Sequence, residues 1–198
     1  MPSRRSSESL SDRLKRLGAR DESQRSWKLR PEILLCPNVP KPLHGVAPRI
    51  VLGSTWWNKE RRAAYASTDF HCTACGVSKY RALFRHWLEG HEIYRIDYAL
   101  GRATYLETVP LCHACHNFIH DGRLGALLER GECTQSKYDA TLRHGQNVLD
   151  SAGLARLGYY AGPMAAWQDW RLVIGEAEYP PRFQSYEEWE RYWQYGTE

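Results

Sequence analysis

The sequence contains no long run of apolar residues. No segment approaches the roughly 18 consecutive apolar residues that a membrane-spanning helix needs. The opening stretch MPSRRSSESLSDRLKRLGAR also lacks the apolar segment of a secretory signal. No segment is repeated along the chain. These absences argue against a membrane protein, an exported protein and a repeat array, and we expect a soluble protein of the cytoplasm.

Net charge is also low, at +4 over 198 residues, but it is unevenly distributed. Residues 1–30 carry nine lysines and arginines against four acids, whereas residues 176–198 carry six acids against two bases. The basic start either follows a phosphate backbone or is a disordered, solubilising tail. A second basic set, on a predicted helix, either contacts nucleic acid or is a solvated face. The candidate contacts with nucleic acid are Arg4, Arg5, Arg13, Lys15, Arg16, Lys59, Arg61 and Arg62.

A chain of this length with 42% hydrophobic residues can bury one core, with or without a small satellite. We expect an α+β protein with a basic, disordered tail over 1–26. Five prolines in residues 27–53 exclude a long helix and predict an extended strap. A central domain over 54–131 and a helical, aromatic extension over 132–198, packed on the core, complete the prediction.

Residue patterns predict the elements that carry the motifs. Apolar residues at helical spacing indicate helices, and alternating patterns around a glycine turn indicate a hairpin. The candidate helix caps are Ser54 or Thr55, Thr134 and Ser185. The predicted helices cover 55–67, 113–119, part of 122–131, 134–149 and a segment after Ser185, and the predicted strands cover 91–98, 103–109 and the WRLVIG segment.

Six cysteines are present, and four of them form two Cys-x-x-Cys pairs separated by 36 residues. In a chain without an export signal, this spacing is more typical of metal binding than of disulfides. Two pairs supply the four sulfur ligands of a structural zinc site. The alternative is two buried, reduced pairs, while Cys36 and Cys133 are expected to be free thiols. The predicted zinc ligands are Cys72, Cys75, Cys112 and Cys115.

Histidines surround the second cysteine pair in the stretch PLCHACHNFIHDG. His116 and His120 are four residues apart in a predicted helix, so their rings project from one face and can share a second cation. His91, on the preceding predicted strand, is the candidate third ligand, and Glu89 shares its strand face. The alternative is three unrelated histidines, hydrogen-bonded or exposed. His71, next to the zinc-ligand candidate Cys72, is expected to orient a thiolate without binding the metal itself.

The order Cys-x-x-Cys, LEGHE on a strand, a hairpin and LCHACHNFIH resembles the HNH endonuclease family over about residues 70–123. The resemblance implies a small treble-clef or ββα-metal zinc core. It also implies that His91, His116 and His120 hold a catalytic divalent ion, Mg²⁺, Mn²⁺, Ni²⁺ or Zn²⁺, at a scissile DNA phosphate. In the family a histidine beside the strand ligand activates water.

Two positions depart from the family pattern. Glu92 stands where the general-base histidine usually stands, and Glu107 stands where the orienting asparagine does. Glu92 is therefore the candidate base, or alternatively a metal ligand. The leading hypothesis is a metal-dependent DNA endonuclease. The alternatives are a catalytically degenerate zinc module that binds nucleic acid, and a protein-interaction factor that uses the aromatic C-terminal helix.

Overall fold

A computed structural model describes residues 26–156, 158 and 160–195. The five candidate nucleic-acid contacts in the N-terminal tail lie outside the described residues. The described chain forms helices and one four-stranded sheet, so the α+β class is confirmed. In this part of the chain, every helix is too short or too polar to cross a bilayer.

A long hairpin forms the centre of the fold. Strand β1 (Leu88–Asp97) pairs antiparallel with β2 (Arg102–Cys112), with one shift of register between Ile93 and Tyr94. Gly101 has a positive φ of 66° at the turn, a conformation that glycine adopts without strain. Strand β1 begins three residues before its predicted start and β2 ends three residues after its predicted end, because the pairing continues to Leu88 and Cys112.

Two further strands extend the sheet in the order β1-β2-β3-β4. Strand β3 (Arg171–Ile174) lies parallel to the start of β2, and β4 (Ala177–Tyr179) pairs antiparallel with β3. The strand predicted in WRLVIG is therefore present. Its parallel pairing needs a crossover, and the helices between β2 and β3 supply it.

The described residues form six α-helices. The helix that starts at His113 has the predicted bounds, and Thr134 caps the next long helix by accepting a hydrogen bond from Lys137 N at 3.3 Å. The predicted side-chain cap at Ser54 or Thr55 is wrong, because that helix begins at Gly53 with no side-chain cap. The helices are α1 (Pro48–Val51), α2 (Gly53–Ser67), α3 (His113–Ile119), α4 (Asp121–Glu129), α5 (Gln135–Ser151) and α6 (Tyr186–Tyr195).

The proline-containing segment differs from a simple extended strap. It contains two 3-10 turns, Pro31–Leu35 and Lys41–Leu43, followed by α1. Each of these begins with a proline in its first two positions, where the missing N–H costs no hydrogen bond. Leu34 and Leu43 are buried, so the turns insert apolar side chains into the body.

The two faces of β1 pack against different helices, and this arrangement positions the candidate site. Gly90 faces α2 so closely that an added β-carbon would lie 2.9 Å from the Trp57 ring. The neighbouring residues Glu89 and His91 point to the other face, where they meet α3. Helix α5 in turn packs on α3 through Phe118. The candidate histidines therefore meet where β1 faces α3.

Candidate metal centres

The four predicted cysteine ligands lie together. Their Sγ atoms are all within 4.8 Å of one another, and those of Cys75 and Cys112 are 3.8 Å apart. A tetrahedral zinc with bonds of about 2.3 Å places its sulfurs about 3.8 Å apart. The knuckle after the first pair is closed by a hydrogen bond from Gly76 N to Cys72 O at 2.8 Å. The cluster therefore fits a zinc ion in donor type and in spacing.

Each pair reaches the cluster from a different element. The first pair sits in the turn before the hairpin, and the second spans the end of β2 and the first turn of α3. The sulfur of Cys112 also caps α3 by accepting a hydrogen bond from Cys115 N at 3.5 Å. A metal at this point would tie the turn, the strand and the helix together, as structural zinc does.

His144 contacts the sulfur cluster, although no sequence pattern predicted this contact. Its Nε2 atom lies 3.3 Å from Cys115 Sγ and 3.9 Å from Cys112 Sγ. A ring N–H directed at thiolates offsets part of their negative charge and orients them. Sequence spacing could not predict the contact, because His144 lies on α5, far from the cysteines in sequence. His71, which was expected to have this role, instead donates from Nδ1 to Asp69 O at 2.6 Å.

The hydrogen bonds among the sulfurs favour one thiolate over its neighbours. Hydrogen bonds from the neighbouring sulfurs, that of Cys115 first, lower the pKa of Cys112, whereas the hydrogen bond with Cys112 raises the pKa of Cys75 and of Cys115. Four adjacent thiolates repel one another, and a cation among them removes that penalty.

The second group of potential ligands is a set of three histidines. One nitrogen of each of His91, His116 and His120 lies within 4.8 Å of the others. The ring centroids of His91 and His116 are 5.4 Å apart, those of His91 and His120 are 5.2 Å apart, and those of His116 and His120 are 4.8 Å apart. The strand and the helix thus meet at three imidazoles, separate from the sulfur cluster.

Two of these rings are held in the neutral form that binds metal. Burial, followed by the charges of His116 and His120, lowers the pKa of His91 to about 2. Burial and nearby positive charges, among them Arg123 and Arg49, lower the pKa of His120 to about 4. A neutral imidazole keeps a lone pair for a cation, so no proton has to leave at neutral pH before metal binds.

Polar groups around the rings occupy their Nδ1 side. Asn38 Oδ1 accepts a hydrogen bond from His120 Nδ1 at 2.9 Å. Glu89 Oε2 lies 2.7 Å from His116 Nδ1, off the direction of a well-aligned hydrogen bond, so this contact is mainly electrostatic. These contacts leave the Nε2 atoms of both rings available for an ion.

Glu89 also holds a fourth histidine of α3. His113 Nδ1 donates to Glu89 Oε1 at 2.6 Å, so one carboxylate bridges two helix histidines. Burial would raise the pKa of Glu89, but the hydrogen bond from His113 and the close contact with His116 outweigh it and hold the pKa well below its usual range. Glu89 is therefore an anion behind the histidine set.

Comparisons with known proteins identify no family for this chain. No family model matches the sequence, and no curated protein and no solved structure matches it either. The functional interpretation therefore rests on the geometry of this chain.

The two acidic residues at the departing positions are both paired with arginines. Arg49 Nη1 donates to Glu92 Oε1 at 2.8 Å, and Arg30 Nη1 donates to Glu107 Oε1 at 2.6 Å. Glu92 is buried on the strand face opposite His91, and among the described residues it is not part of either group of clustered ligand atoms. A role for Glu92 as base or ligand stays a prediction.

The remaining predicted contacts have different surroundings. On α2, Lys59 and Arg62 are exposed, whereas Arg61 donates to Asn58 of its own helix at 3.0 Å. On α6, Trp189 donates from Nε1 to His44 at 3.1 Å, while Trp193 is 57% exposed. The basic residues of α2 and one face of α6 thus remain available to a partner.

Proposed function

We propose that this chain is a metal-dependent endonuclease that hydrolyses DNA phosphodiester bonds at the three-histidine centre. The observation that carries the proposal is the convergence of His91, His116 and His120 beside a separate cluster of four cysteines. In this proposal the cysteines hold a structural zinc in a treble-clef arrangement, and the enzyme acts in the cytoplasm, where thiols stay reduced.

The donor set supports a catalytic centre rather than a second structural one. Three imidazoles leave coordination positions open, as in metal sites that bind water or substrate. A divalent cation held there, Mg²⁺, Mn²⁺, Ni²⁺ or Zn²⁺, would polarise a phosphoryl oxygen and stabilise the charge of the leaving oxygen. Glu89 orients His116 for this purpose by its contact with Nδ1.

Positive charge near the histidines supports a phosphate as the substrate group. Arg49 and Arg123 both contribute to lowering the pKa of His120, so both act over a short range at this centre. The Arg49 side chain is half-exposed, and Arg123 is exposed on α4. Guanidinium groups suit phosphate because their N–H groups match its oxygens in pairs.

In this proposal Glu92 acts through Arg49, because its side chain lies on the strand face opposite His91. Arg49 Nη1 donates to Glu92 Oε1 at 2.8 Å, and the charge of Arg49 also acts on His91 and His120. Glu92 would therefore hold Arg49 in place, and Arg49 would attract the phosphate.

Plasmid cleavage tests the proposal. Pure protein incubated with supercoiled plasmid and each of the four cations should yield relaxed or linear DNA. His91→Ala and His120→Ala should abolish the product while keeping one zinc per chain. His71→Ala is a matched control, because within the described residues His71 belongs to neither cluster of ligand atoms. No cleavage of any nucleic acid with any of these cations would refute the proposal.

A zinc-built module that binds nucleic acid without cutting it is the second candidate. The observation that favours it is that Glu92 and Glu107 are both engaged by arginines. Metal analysis separates the two functions, since the endonuclease requires a second, exchangeable ion besides zinc. Binding that weakens steeply with salt and requires residues 1–26, without cleavage, would support the module.

A further inference from the structure

A loop between the first cysteine pair and β1 exposes aromatic side chains. It comprises residues 79–87, with the sequence KYRALFRHW, and is called the aromatic loop below. Tyr80 is 70% exposed, Trp87 is 51% exposed and Phe84 is 40% exposed. Large aromatic rings are usually buried in a core. Three exposed rings in one short loop form a surface suited to binding a partner molecule.

Each of these rings has a cation beside it. Lys79 Nζ is 4.8 Å from the Tyr80 ring centroid, and the Arg85 guanidinium is 5.0 Å from that of Trp87. The loop holds three lysines and arginines, and no acidic residue occurs from Gly76 to Leu88. Rings that alternate with cations, with no acidic residue among them, match a strand of bases and phosphates.

The middle of the loop lies against His113, which shares Glu89 with His116 of the histidine centre. The Phe84 ring meets His113 edge to face, with centroids 6.1 Å apart, and His113 is bonded to Glu89, which contacts His116. Phe84 has a positive φ of 70°, an uncommon conformation for a residue other than glycine. The backbone therefore turns at this residue where the loop meets the metal centre.

We propose that the aromatic loop binds unpaired bases, so that the chain acts on nucleic acid with a single-stranded segment. Bases stack on the open faces of Tyr80 and Trp87, while Lys79 and Arg85 contact the phosphates. The inference rests on the proposed function for one step only, in which the bound strand presents a phosphate to the histidine centre. Stacking itself requires no ion at the histidines.

Binding without added divalent ions tests the inference independently of cleavage. Fluorescence anisotropy with a labelled single strand and with a duplex of the same length should show tighter binding of the single strand. Tyr80→Ala and Trp87→Ala should each weaken it by roughly 5- to 150-fold, because stacking is worth about 1–3 kcal/mol per base. Tyr80→Phe should retain the affinity, since the ring remains.

Trp193→Ala is the matched control, because Trp193 is 57% exposed but lies on α6 rather than in the loop. Its affinity for the single strand should equal that of the wild type. The inference is overturned if Tyr80→Ala and Trp87→Ala bind like wild type, or if the duplex binds as tightly as the single strand. A protein ligand that needs Tyr80, without any binding of single strands, would also overturn it.

The two proposals fail separately. If the loop variants lose single-strand binding but the wild type cleaves nothing with any cation, the aromatic loop is supported and the endonuclease is refuted. If the wild type cleaves duplex plasmid and the loop variants cleave it equally well and bind single strands normally, the endonuclease is supported and the loop inference is refuted.

Discussion

Gly145 lies in α5 at the place where this helix packs on α3, directly against the ring of Phe118. A β-carbon added at Gly145 would lie 2.1, 2.2 and 2.6 Å from three atoms of that ring. When a β-carbon would lie less than 3.0 Å from another heavy atom, either the backbone that carries it or the neighbouring residue must move. Phe118 is buried, so the ring has little room, and Gly145→Ala must displace either the ring or the helix.

Two opposing terms determine the stability of Gly145→Ala. Alanine is better than glycine inside a helix by about 1 kcal/mol. Extra volume in a well-packed core costs about 1–3 kcal/mol, and occasionally more. Because the added atom would overlap a buried ring, we expect the packing term to win, with a net loss of up to about 2 kcal/mol. Where the helix moves rather than the ring, the adjacent His144 moves with it relative to the cysteine sulfurs.

Gly125→Ala is the matched control. Gly125 lies inside α4, and a β-carbon there would meet nothing within 4 Å. Only the helix preference remains, so this variant should gain about 0.5–1 kcal/mol. Denaturant unfolding of both variants at one fixed concentration of free zinc gives the comparison, because a bound ion adds to stability. If Gly145→Ala proves as stable as Gly125→Ala, the described packing of α5 on α3 is refuted.

Three further outcomes follow from the two centres. His144→Ala should weaken zinc binding by about 10- to 100-fold in competition with a chromophoric chelator, because the cysteine thiolates lose an N–H donor. Glu89→Gln should weaken binding of the exchangeable ion by about the same factor and leave the zinc content unchanged. Stability should fall as pH drops below about 6.5, because the pKa values of His91 and His120, about 2 and about 4, are both lowered in the folded state. The unfolded chain then binds more protons, and the slope is at most about 1.4 kcal/mol per pH unit for each histidine.

Measurements that would contradict these outcomes are direct. Unchanged zinc affinity in His144→Ala would mean that the ring does not support the thiolates. Loss of zinc from Glu89→Gln would mean that the two centres are not separate. A free energy of unfolding that stays flat between pH 7 and pH 5, in protein without an ion at the histidines, would mean that these rings are not held neutral by burial.

Local sequence patterns were enough to predict the helix and the strand that carry the candidate ligands. Helix α3 has the predicted bounds, because the capping sulfur of Cys112 and the four-residue histidine spacing are both local features. The clustering of the four cysteines is confirmed. It was predictable because two Cys-x-x-Cys pairs in one chain are typical of a shared metal site. Helical spacing also placed His116 and His120 on one face.

Contacts between segments that are distant in sequence could not be predicted from local patterns. The sequence predicted a strand at WRLVIG but not its parallel pairing with β2, which depends on a crossover through three helices. His144 reaches the sulfurs only because α5 packs closely on α3 at Gly145. The turns in the proline-containing segment depend on apolar side chains that find a core built by other elements.

By itself, then, the sequence determined which side chains are available for chemistry and on which helix or strand they lie, since period and capping act within a few residues. Only the tertiary structure decided which of them meet. Glu92 faces Arg49 and Glu89 faces the histidines, although both belong to β1. The physical reason is that a strand presents alternate residues to opposite faces, and what covers each face comes from helices far away in the chain.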